Sequence, residues 1–367
     1  MKMTANEVRK LYDQIPRVKY AFLPTPFHKL ENISKDTGVN IYVKREDMTG
    51  PSNFGGNKVR KLEFIMGEAV KQGYDTMISV GAYQTNSAME FVQFCNLLNI
   101  KPIVFVADIH DNGIPTTFDE IQGNLRLMKI MGADVRFVGK TDEVDANGSY
   151  LVPMWDRMYR EVAACKAELE AQGHKVWEVP SGCANDFAMV SYVLSFVEMM
   201  EQSEAMGVKL DYIYNTQGTG GSLPGMIAGK YLMGSDVEFR PIGCAKCEDE
   251  DICGPTETVR RVKLALESLN VEAPSDEWIR SQINIDPHYY GKDYGYPTPE
   301  AVAAIRYLAK REAIFTDTVY TGKGFSGLLD HIKQGKIPQG SNVCFVHTGG
   351  TGALFAKQDL IGDVFDI

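Results

Sequence analysis

Residues 54–61 read FGGNKVRK and set three cations within four residues, directly after a pair of glycines. Such a cluster is either a solvated basic turn or the surroundings of one reactive lysine. A lysine becomes a useful nucleophile when burial or neighbouring cations lower its pKa from about 10.4. The candidate reagent here is Lys58, and we expect Arg60 and Lys61 to be the neighbouring cations.

The rest of the chain has the composition of an ordinary globular protein. It has 367 residues, of which 44% are hydrophobic and 23% charged, and its formal net charge is -10. This acidity argues against a protein that binds nucleic acid through its phosphates. No apolar run approaches the roughly 18 residues of a membrane helix, and the N-terminus does not resemble a signal peptide. We therefore expect a cytoplasmic protein with a small-molecule partner, without nucleic-acid or membrane binding.

Seven cysteines are scattered along the chain. An odd number without regular spacing suits reduced thiols better than a disulfide framework. Cys244, Cys247 and Cys253 lie together in the segment CAKCEDEDIC, but a structural zinc site would need a second pair of ligands, and the sequence has no matching pair. We expect no metal, and the sequence assigns no role to this cluster.

Short β-type runs alternate with helical patterns along the chain. Strands are predicted near residues 77–80, 103–106, 134–138, 176–179, 212–214, 238–243 and 343–346. Helices are predicted near residues 87–98, 119–131, 155–172 and 187–206. Strands joined by helical crossovers form a mostly parallel sheet that is covered on both faces. Ligands bind such sheets at the carboxyl ends of the strands, so the loops after the strands should hold the functional residues.

A glycine-rich loop, NTQGTGGSLPGM, follows the strand predicted at residues 212–214 and precedes a helix. Its core consists of Gly218, Thr219, Gly220, Gly221 and Ser222. Glycines let backbone N–H groups point at an anion, and a following helix adds partial positive charge. The loop is therefore a candidate phosphate site, with a helix cap that binds no ligand as the alternative. No Lys-Ser or Lys-Thr pair follows, as a P-loop would require.

Three other loops carry polar residues at helix starts or strand ends. In GAYQTNSAME, four polar residues at a helix start suit a carboxylate or phenolate oxygen, although plain N-capping would also explain them. TVYTGKGFSG places Tyr320 and Thr321 ahead of a helix, and HTGGTGALF follows the strand predicted at residues 343–346. The Gly-Lys pair of TVYTGKGFSG does not indicate nucleotide binding, because Gly324 stands where Ser or Thr would hold magnesium.

Taken together, these segments resemble the D-cysteine desulfhydrase and 1-aminocyclopropane-1-carboxylate (ACC) deaminase family. VKREDMTGPSNFGGNKVRKLEF, GAYQTNS, GTGGS, YGYP, VYTGKGFSGLLD and HTGGTGALF occur in the family's order and rough spacing, from about residue 24 to residue 355. The most specific piece is GGNKxRKLEF. The family belongs to the pyridoxal-phosphate (PLP) enzymes of fold type II, which are tryptophan synthase β-like and act in amino-acid metabolism.

The resemblance implies an α/β fold of two open, twisted, mostly parallel sheets flanked by helices. The cofactor would lie in the cleft between a large domain, residues 1–64 and 176–367, and a small domain, residues 65–175. It also implies a homodimer.

Roles for individual residues follow from the resemblance as well. Lys58 would form the Schiff base with PLP and act as the base at the substrate Cα. The other residues implied in cofactor binding are Asn57, Asn86, Gly218, Thr219, Gly220, Gly221, Ser222, Thr321 and Thr348. Those implied in substrate binding are Gln84, Thr85, Asn86, Ser87, Tyr294 and Tyr320, of which Thr85, Tyr294 and Tyr320 would also be catalytic.

The implied activity is α,β-elimination from a β-substituted alanine, as in D-cysteine desulfhydrase, which yields pyruvate, ammonia and a leaving group such as sulfide. Opening the ring of ACC needs a stronger electron sink, and the deaminases resemble one another in a Glu directly after the tyrosine of VYxGK. This chain has Thr321 there. Because a hydroxyl cannot act as the counter-ion of a protonated pyridine, elimination is favoured over ring opening.

Three residues depart from the family pattern. Where its members read Gln-Ser-Asn-His or Gln-Ser-Asn-Gln, this chain has Thr85 and Ser87, preceded by the bulky Tyr83. The change is either neutral or the mark of a different substrate, such as L-cysteate. ACC deaminase activity and a PLP-binding protein without lyase turnover also remain alternatives, and the sequence does not indicate which enantiomer is used.

Overall fold

The computed structural model describes residues 2–108, 121–139 and 152–356. The helices in these ranges are α1 (Ala5–Lys10), α2 (Glu31–Thr37), α3 (Asn57–Gln72), α4 (Asn86–Leu97), α5 (Gly123–Ile130), α6 (Met154–Ala171), α7 (Val190–Ala205), α8 (Leu223–Met233), α9 (Pro255–Glu267), α10 (Asp276–Ser281), α11 (Pro299–Glu312) and α12 (Thr321–Lys333). The strands are β1 (Phe27–Lys29), β2 (Asn40–Arg45), β3 (Thr76–Ala82), β4 (Lys101–Ala107), β5 (Asp134–Phe137), β6 (Val176–Val179), β7 (Tyr212–Tyr214), β8 (Thr216–Gln217), β9 (Glu238–Phe239), β10 (Ile242–Gly243) and β11 (Asn342–His347). The beginning of the helix predicted at residues 119–131 lies outside the described residues.

One sheet has five strands in the order β1-β2-β11-β7-β9, and all neighbours are parallel except β1 and β2. Strand β11 lies at its centre, with Val343 beside Ile41 of β2 and Phe345 beside Tyr214 of β7. A strand between two parallel neighbours is covered on both faces, which explains the nearly continuous apolar run of β11. Helices α7, α8 and α9 cover one face of this sheet, and α2, α11 and α12 cover the other.

The second sheet has four parallel strands in the order β5-β4-β3-β6. Helices α3, α4 and α5 pack on one face through residues such as Leu62, Phe91 and Leu125. Helix α6 packs on the other face through Met158 and Val162. The α/β prediction of two mostly parallel sheets flanked by helices is therefore confirmed.

The prediction of one continuous strand at residues 238–243 is wrong. The structure has two short strands there, β9 beside β7 and β10 beside β8, which are separated by Arg240 and Pro241. Proline has no N–H to give to a ladder, so the strand breaks at this point. The chain continues in β10 as part of a parallel two-stranded pair next to the glycine-rich loop.

The two-domain division stays a prediction, and two features bear on its boundaries. Helix α3 runs without interruption across the predicted boundary at residues 64 and 65. Strand β6, which follows the predicted boundary at residues 175 and 176, pairs with β3 in the four-stranded sheet. By sheet membership, the second boundary would fall after Val179. Within the described ranges, every helix is too short or too polar to cross a membrane.

Candidate active site

A cavity of about 590 Å³ opens where strands of both sheets end. Its walls include the ends of β3, β4 and β11 and the loop after β8. The structure brings together all the predicted site residues except Thr321 around this cavity. These residues are Asn57, Lys58, Gln84, Thr85, Asn86, Ser87, Gly218, Thr219, Gly220, Gly221, Ser222, Tyr294, Tyr320 and Thr348.

Lys58 is the second residue of α3 and is partly buried. Its Nζ lies 5.4 Å from the centroid of the Tyr320 ring. The start of α3 is fixed to the end of β11, because Asn57 N donates to Thr348 O at 3.0 Å and Gly56 forms a bridge with Gly349. The lysine therefore projects from a rigid junction between a helix and the central strand of the larger sheet.

Arg60 does not provide the electrostatic setting that was predicted for it. Its buried guanidinium donates to both carboxylate oxygens of Glu46 and of Glu198, with N–O distances of 2.9 and 2.7 Å to the latter. Two carboxylates thus balance this cation away from Lys58. A helix places residues two positions apart on different faces, which explains why closeness in sequence was misleading here.

Lys61, by contrast, lies beside the predicted phosphate loop. Its fully buried Nζ donates to Gly182 O at 2.7 Å, and a Cβ built on Gly221 would lie 2.5 Å from that nitrogen. Glycine is therefore needed at position 221 for this close approach. Burial, and next the charge of Lys58, lower the pKa of Lys61 to about 7.

The phosphate loop is joined to α3 through Asn57. Its Nδ2 donates to Ser222 Oγ at 3.1 Å, while its buried Oδ1 has no hydrogen-bond partner among the described residues. Helix α8 begins directly after Ser222, whose side chain makes no capping bond, and Gly220 takes a left-handed conformation with φ of 71°. A helix start, a glycine turn and the nearby Lys61 ammonium together fit a phosphate group.

The start of α4 is capped by the hydroxyl of Thr85, which accepts from Ala88 N at 3.3 Å. The same hydroxyl lies 3.0 Å from Ser87 Oγ, and Ser87 Oγ also accepts from Gly182 N at 3.2 Å. N-capping, the alternative explanation for these polar residues, therefore does occur. Both side chains nevertheless line the cavity. Positive potential from the helix start makes this wall suitable for a carboxylate.

Asn86 is oriented by Asn124, a residue that the sequence analysis missed. Asn124 Nδ2 donates to Asn86 Oδ1 at 2.6 Å and to Gln84 O at 3.0 Å. Because its oxygen already accepts from Asn124, the Asn86 amide can offer its NH₂ group to a ligand. An amide that binds a phenolate oxygen must donate in this way. Gln84 Oε1 accepts from Asn124 N at 2.8 Å, so the Gln84 side chain helps to hold Asn124 in place. A single Asn inside a helix gave no signal of this role.

Tyr294 and Tyr320 face each other in the wall of the cavity near Lys58. Their hydroxyls are hydrogen bonded to each other, and their rings meet edge to face with centroids 5.9 Å apart. Burial raises the pKa of both phenols. Both are therefore protonated at neutral pH and can donate a hydrogen bond.

Thr321 is fully buried and lies outside the cavity lining. Its Oγ1 donates to Asp317 Oδ1 at 2.7 Å and accepts from Asp317 N at 2.9 Å. The Asp317 carboxylate, which the sequence analysis missed, also accepts from the backbone N–H groups of Val319, Tyr320 and Thr321. The pair therefore fixes the turn that presents Tyr320, and the contact of Thr321 with the cofactor stays a prediction.

The cysteine cluster lies at the edge of the site. Cys253 lines the cavity, and Cys244, Cys247 and Cys253 are buried free thiols. Across the described ranges, no group of three His, Cys, Asp or Glu residues is arranged to hold a metal ion.

Comparison with known proteins places this geometry in a family. The family of pyridoxal-phosphate dependent enzymes matches residues 18–349. The chain is 31% identical to the ACC deaminase of Pseudomonas syringae pv. syringae (strain B728a), covering 95% of this chain and 98% of the relative. It is 30% identical to the probable ACC deaminase of Schizosaccharomyces pombe (strain 972 / ATCC 24843), with 94% and 97% covered.

Solved structures agree with this placement. A crystal structure of an ACC deaminase homologue superposes with a TM-score of 0.81 at 30% identity, covering 96% of this chain and 98% of that one. An O-ureido-L-serine synthase superposes with a TM-score of 0.60 at 14% identity, covering 96% of this chain and 95% of that one, which shows the shared fold alone. This chain therefore belongs to the ACC deaminase family of PLP-dependent enzymes, with fold type II.

Proposed function

We propose that this PLP-dependent lyase catalyses α,β-elimination from a β-substituted alanine, as a D-cysteine desulfhydrase does, and releases pyruvate, ammonia and a leaving group such as sulfide. The observation that carries the choice is the pairing of Thr321 with Asp317. Ring opening of ACC would be helped by a carboxylate that keeps the cofactor ring protonated, and position 321 carries a hydroxyl instead.

Asp317 does not offer the missing hydrogen-bond acceptor either. A carboxylate has about four lone-pair sites, and the Asp317 carboxylate already accepts four hydrogen bonds, three from backbone N–H groups and one from Thr321 Oγ1. No acceptor position is left for a protonated ring nitrogen. Elimination of a good leaving group needs less electron withdrawal than opening a cyclopropane, so this arrangement favours elimination.

The protein residues then have distinct tasks. When bound, PLP supplies the conjugated ring that stabilises negative charge at the substrate Cα. Lys58 anchors the cofactor and moves the Cα proton. The capped start of α4, with Thr85 and Ser87, holds the substrate carboxylate. Tyr294 and Tyr320 are protonated and lie on the side of the cavity near Lys58, whose nitrogen is 5.4 Å from the Tyr320 ring centroid, so they can donate to the departing group.

A substrate panel tests the proposal. The purified enzyme is incubated with D-cysteine, L-cysteine, L-cysteate, β-chloroalanine and ACC, and pyruvate is followed by a coupled assay. We expect pyruvate from at least one β-substituted alanine, with sulfide or sulfite according to the substrate. Production of 2-oxobutyrate from ACC would overturn the choice and favour the activity for which the Pseudomonas syringae relative is named.

The same assay decides whether the protein turns over at all. The Lys58→Ala variant should lose both the visible absorbance band of bound PLP and all elimination, because the covalent anchor and the base are removed together. A wild-type protein that shows the band but no turnover with any of the five compounds would instead be a PLP-binding protein without lyase activity.

A further inference from the structure

Glu90 is a buried carboxylate that has no part in the elimination chemistry described above. It lies on α4, one helical turn after Asn86, and its side chain is 1% exposed. Residues four positions apart share a face of a helix, so Glu90 lies behind the wall to which Asn86 belongs. It does not itself line the cavity.

The Glu90 carboxylate occupies the start of α3, the helix that carries Lys58. Its Oε2 accepts from Val59 N at 2.9 Å, and a Cβ built on Gly56 would clash with its Oε1. Gly56 is the N-cap residue of α3 and has no side chain to offer. The first N–H groups of a helix lack intrahelical partners and attract negative charge. Helix α4 therefore supplies the cap that the sequence of α3 cannot.

The titratable and charged groups facing Glu90 come from three elements: Lys58 and Lys61 on α3, Cys183 in the turn at residues 181–183, and Tyr192 on α7. Burial raises the pKa of Glu90 to about 7, although Lys58 and the Val59 N–H oppose this rise. Burial lowers the pKa of Lys61 to about 7 as well. Two buried groups beside the cofactor lysine thus change charge in the same pH range.

We propose that Glu90 is a positioning residue for Lys58, which caps the turn that bears the lysine and, when it is ionised, brings a negative charge close to that lysine. The contacts that carry this assignment are the Val59 hydrogen bond and the close approach to Gly56. The assignment rests on the proposed role of Lys58 as cofactor anchor, and it does not depend on which amino acid is the substrate.

Two substitutions separate the cap from the charge. Glu90→Gln keeps the size and an oxygen that accepts from Val59 N but removes the charge, whereas Glu90→Ala removes both. The readout is the visible absorbance band of the PLP-loaded protein as a function of pH, without substrate, together with the Tm. Glu63→Gln is the matched control, because Glu63 is a buried carboxylate on α3 that accepts from the backbone of Tyr20 and Ala21 away from the cavity.

We expect the pH midpoint of the band to fall by about one unit in Glu90→Gln, since an anion close to a protonated nitrogen stabilises the charged form. Glu90→Ala should show this shift with a lower Tm and slower cofactor attachment, and Glu63→Gln should lower the Tm alone. A wild-type midpoint in Glu90→Gln would overturn the proposal and leave Glu90 a structural cap. If Glu90→Ala does not fold, Glu90→Gln decides. Loss of the proposed role of Lys58 would appear separately, as a band that survives in Lys58→Ala.

Discussion

At the scale of single residues, the site depends on side chains whose orientation is fixed by a second residue. Asn86 is held by Asn124, and Thr321 is held by Asp317. In both pairs the predicted site residue was identified from its motif, whereas its partner was not. The partners matter because a hydroxyl or amide has both donors and acceptors, and the hydrogen bond already made decides which of them remains.

Replacing Asn124 tests the first pair. Asn124→Ala leaves the oxygens of Asn86 and Gln84 without their buried donor, which costs about 1–3 kcal/mol. We expect a lower Tm and roughly tenfold weaker PLP binding, which corresponds to about 1.4 kcal/mol in affinity. The reason is that the freed Asn86 amide can turn its oxygen toward the phenolic oxygen of the PLP ring, the group that the family resemblance gives it as a partner. Asn96→Ala is the control, since exposed Asn96 joins α4 to Met131 O far from the cavity. Equal PLP affinities in both variants would contradict the role of Asn124.

Replacing Thr321 tests the second pair. Thr321→Glu brings a second carboxylate next to buried Asp317, and like charges in a buried site repel. We expect a lower Tm and an altered pH dependence of both the PLP band and pyruvate release. Thr321→Ser retains the hydroxyl and should leave the pH dependence unchanged. An unaltered pH profile and elimination rate in Thr321→Glu would mean that position 321 has no influence on the cofactor ring.

At the scale of elements, the site forms where several helix starts converge. Helices α3, α4 and α8 begin at Asn57, Asn86 and Leu223, and each start follows a strand or a loop at the carboxyl edge of a sheet. Converging helix starts concentrate partial positive charge, which suits a cofactor phosphate at one end and a substrate carboxylate at the other.

The glycine loop before α8 offers a test of this convergence. In Gly221→Ala, the new methyl group would displace the Lys61 ammonium, which lies 2.5 Å from the position of that Cβ. We expect at least tenfold weaker PLP binding and a lower Tm of the cofactor-free protein, because the displaced Lys61 nitrogen also loses its buried hydrogen bond to Gly182 O. Gly207→Ala is the control: Gly207 has φ of 69° and open space around it, so this variant should lose stability without losing PLP affinity. An unchanged PLP affinity in Gly221→Ala would show that the loop does not hold the phosphate.

Elements with a local signature could be predicted from the sequence, and contacts between elements could not. The loop at residues 218–222 and the start of α3 carry the glycines expected where a backbone approaches a ligand, so their proposed role could be predicted from the residues themselves. Glu90 lies in a helix that reads as an ordinary buried segment, and its role depends on how α4 packs against α3. Arg60 was misassigned for the same reason, since its partners Glu46 and Glu198 come from other parts of the chain.

At the scale of the whole molecule, a buried charge network ties the two sheets together. Arg60 on α3 and Lys44 on β2 both contact Glu198 on α7. Burial alone would raise the pKa of Glu198, but the opposing charges of Arg60 and Lys44 outweigh it and lower the pKa to about 2. Breaking such a network by removing one partner is costly, because it leaves uncompensated charge in the interior.

The network predicts how the protein responds to acid. A carboxyl with a lowered pKa in the folded state stabilises fully above its unfolded pKa of about 4.5, and this contribution is lost as the pH falls toward 2. We expect Glu198→Gln to reduce the free energy of unfolding at pH 7 by about 3 kcal/mol and to flatten its decline between about pH 4.5 and pH 2. Urea unfolding at several pH values measures both. Glu201→Gln, on the half-exposed pair with Arg9, should change neither appreciably. If the free energy of unfolding of Glu198→Gln fell with pH as steeply as that of the wild type, the proposed role of Glu198 in acid stability would be contradicted.

The central position of β11 also constrains how the protein is made. This strand is the last of the described strands to leave the ribosome, yet it separates β2 from β7 and anchors the start of α3. Until residues 342–349 have been synthesised, β2 and β7 lack the neighbour between them, and the nascent chain exposes two unpaired apolar edges. Lys58, the proposed cofactor anchor, is therefore translated early but fixed in place late, so PLP binding should report the synthesis of β11.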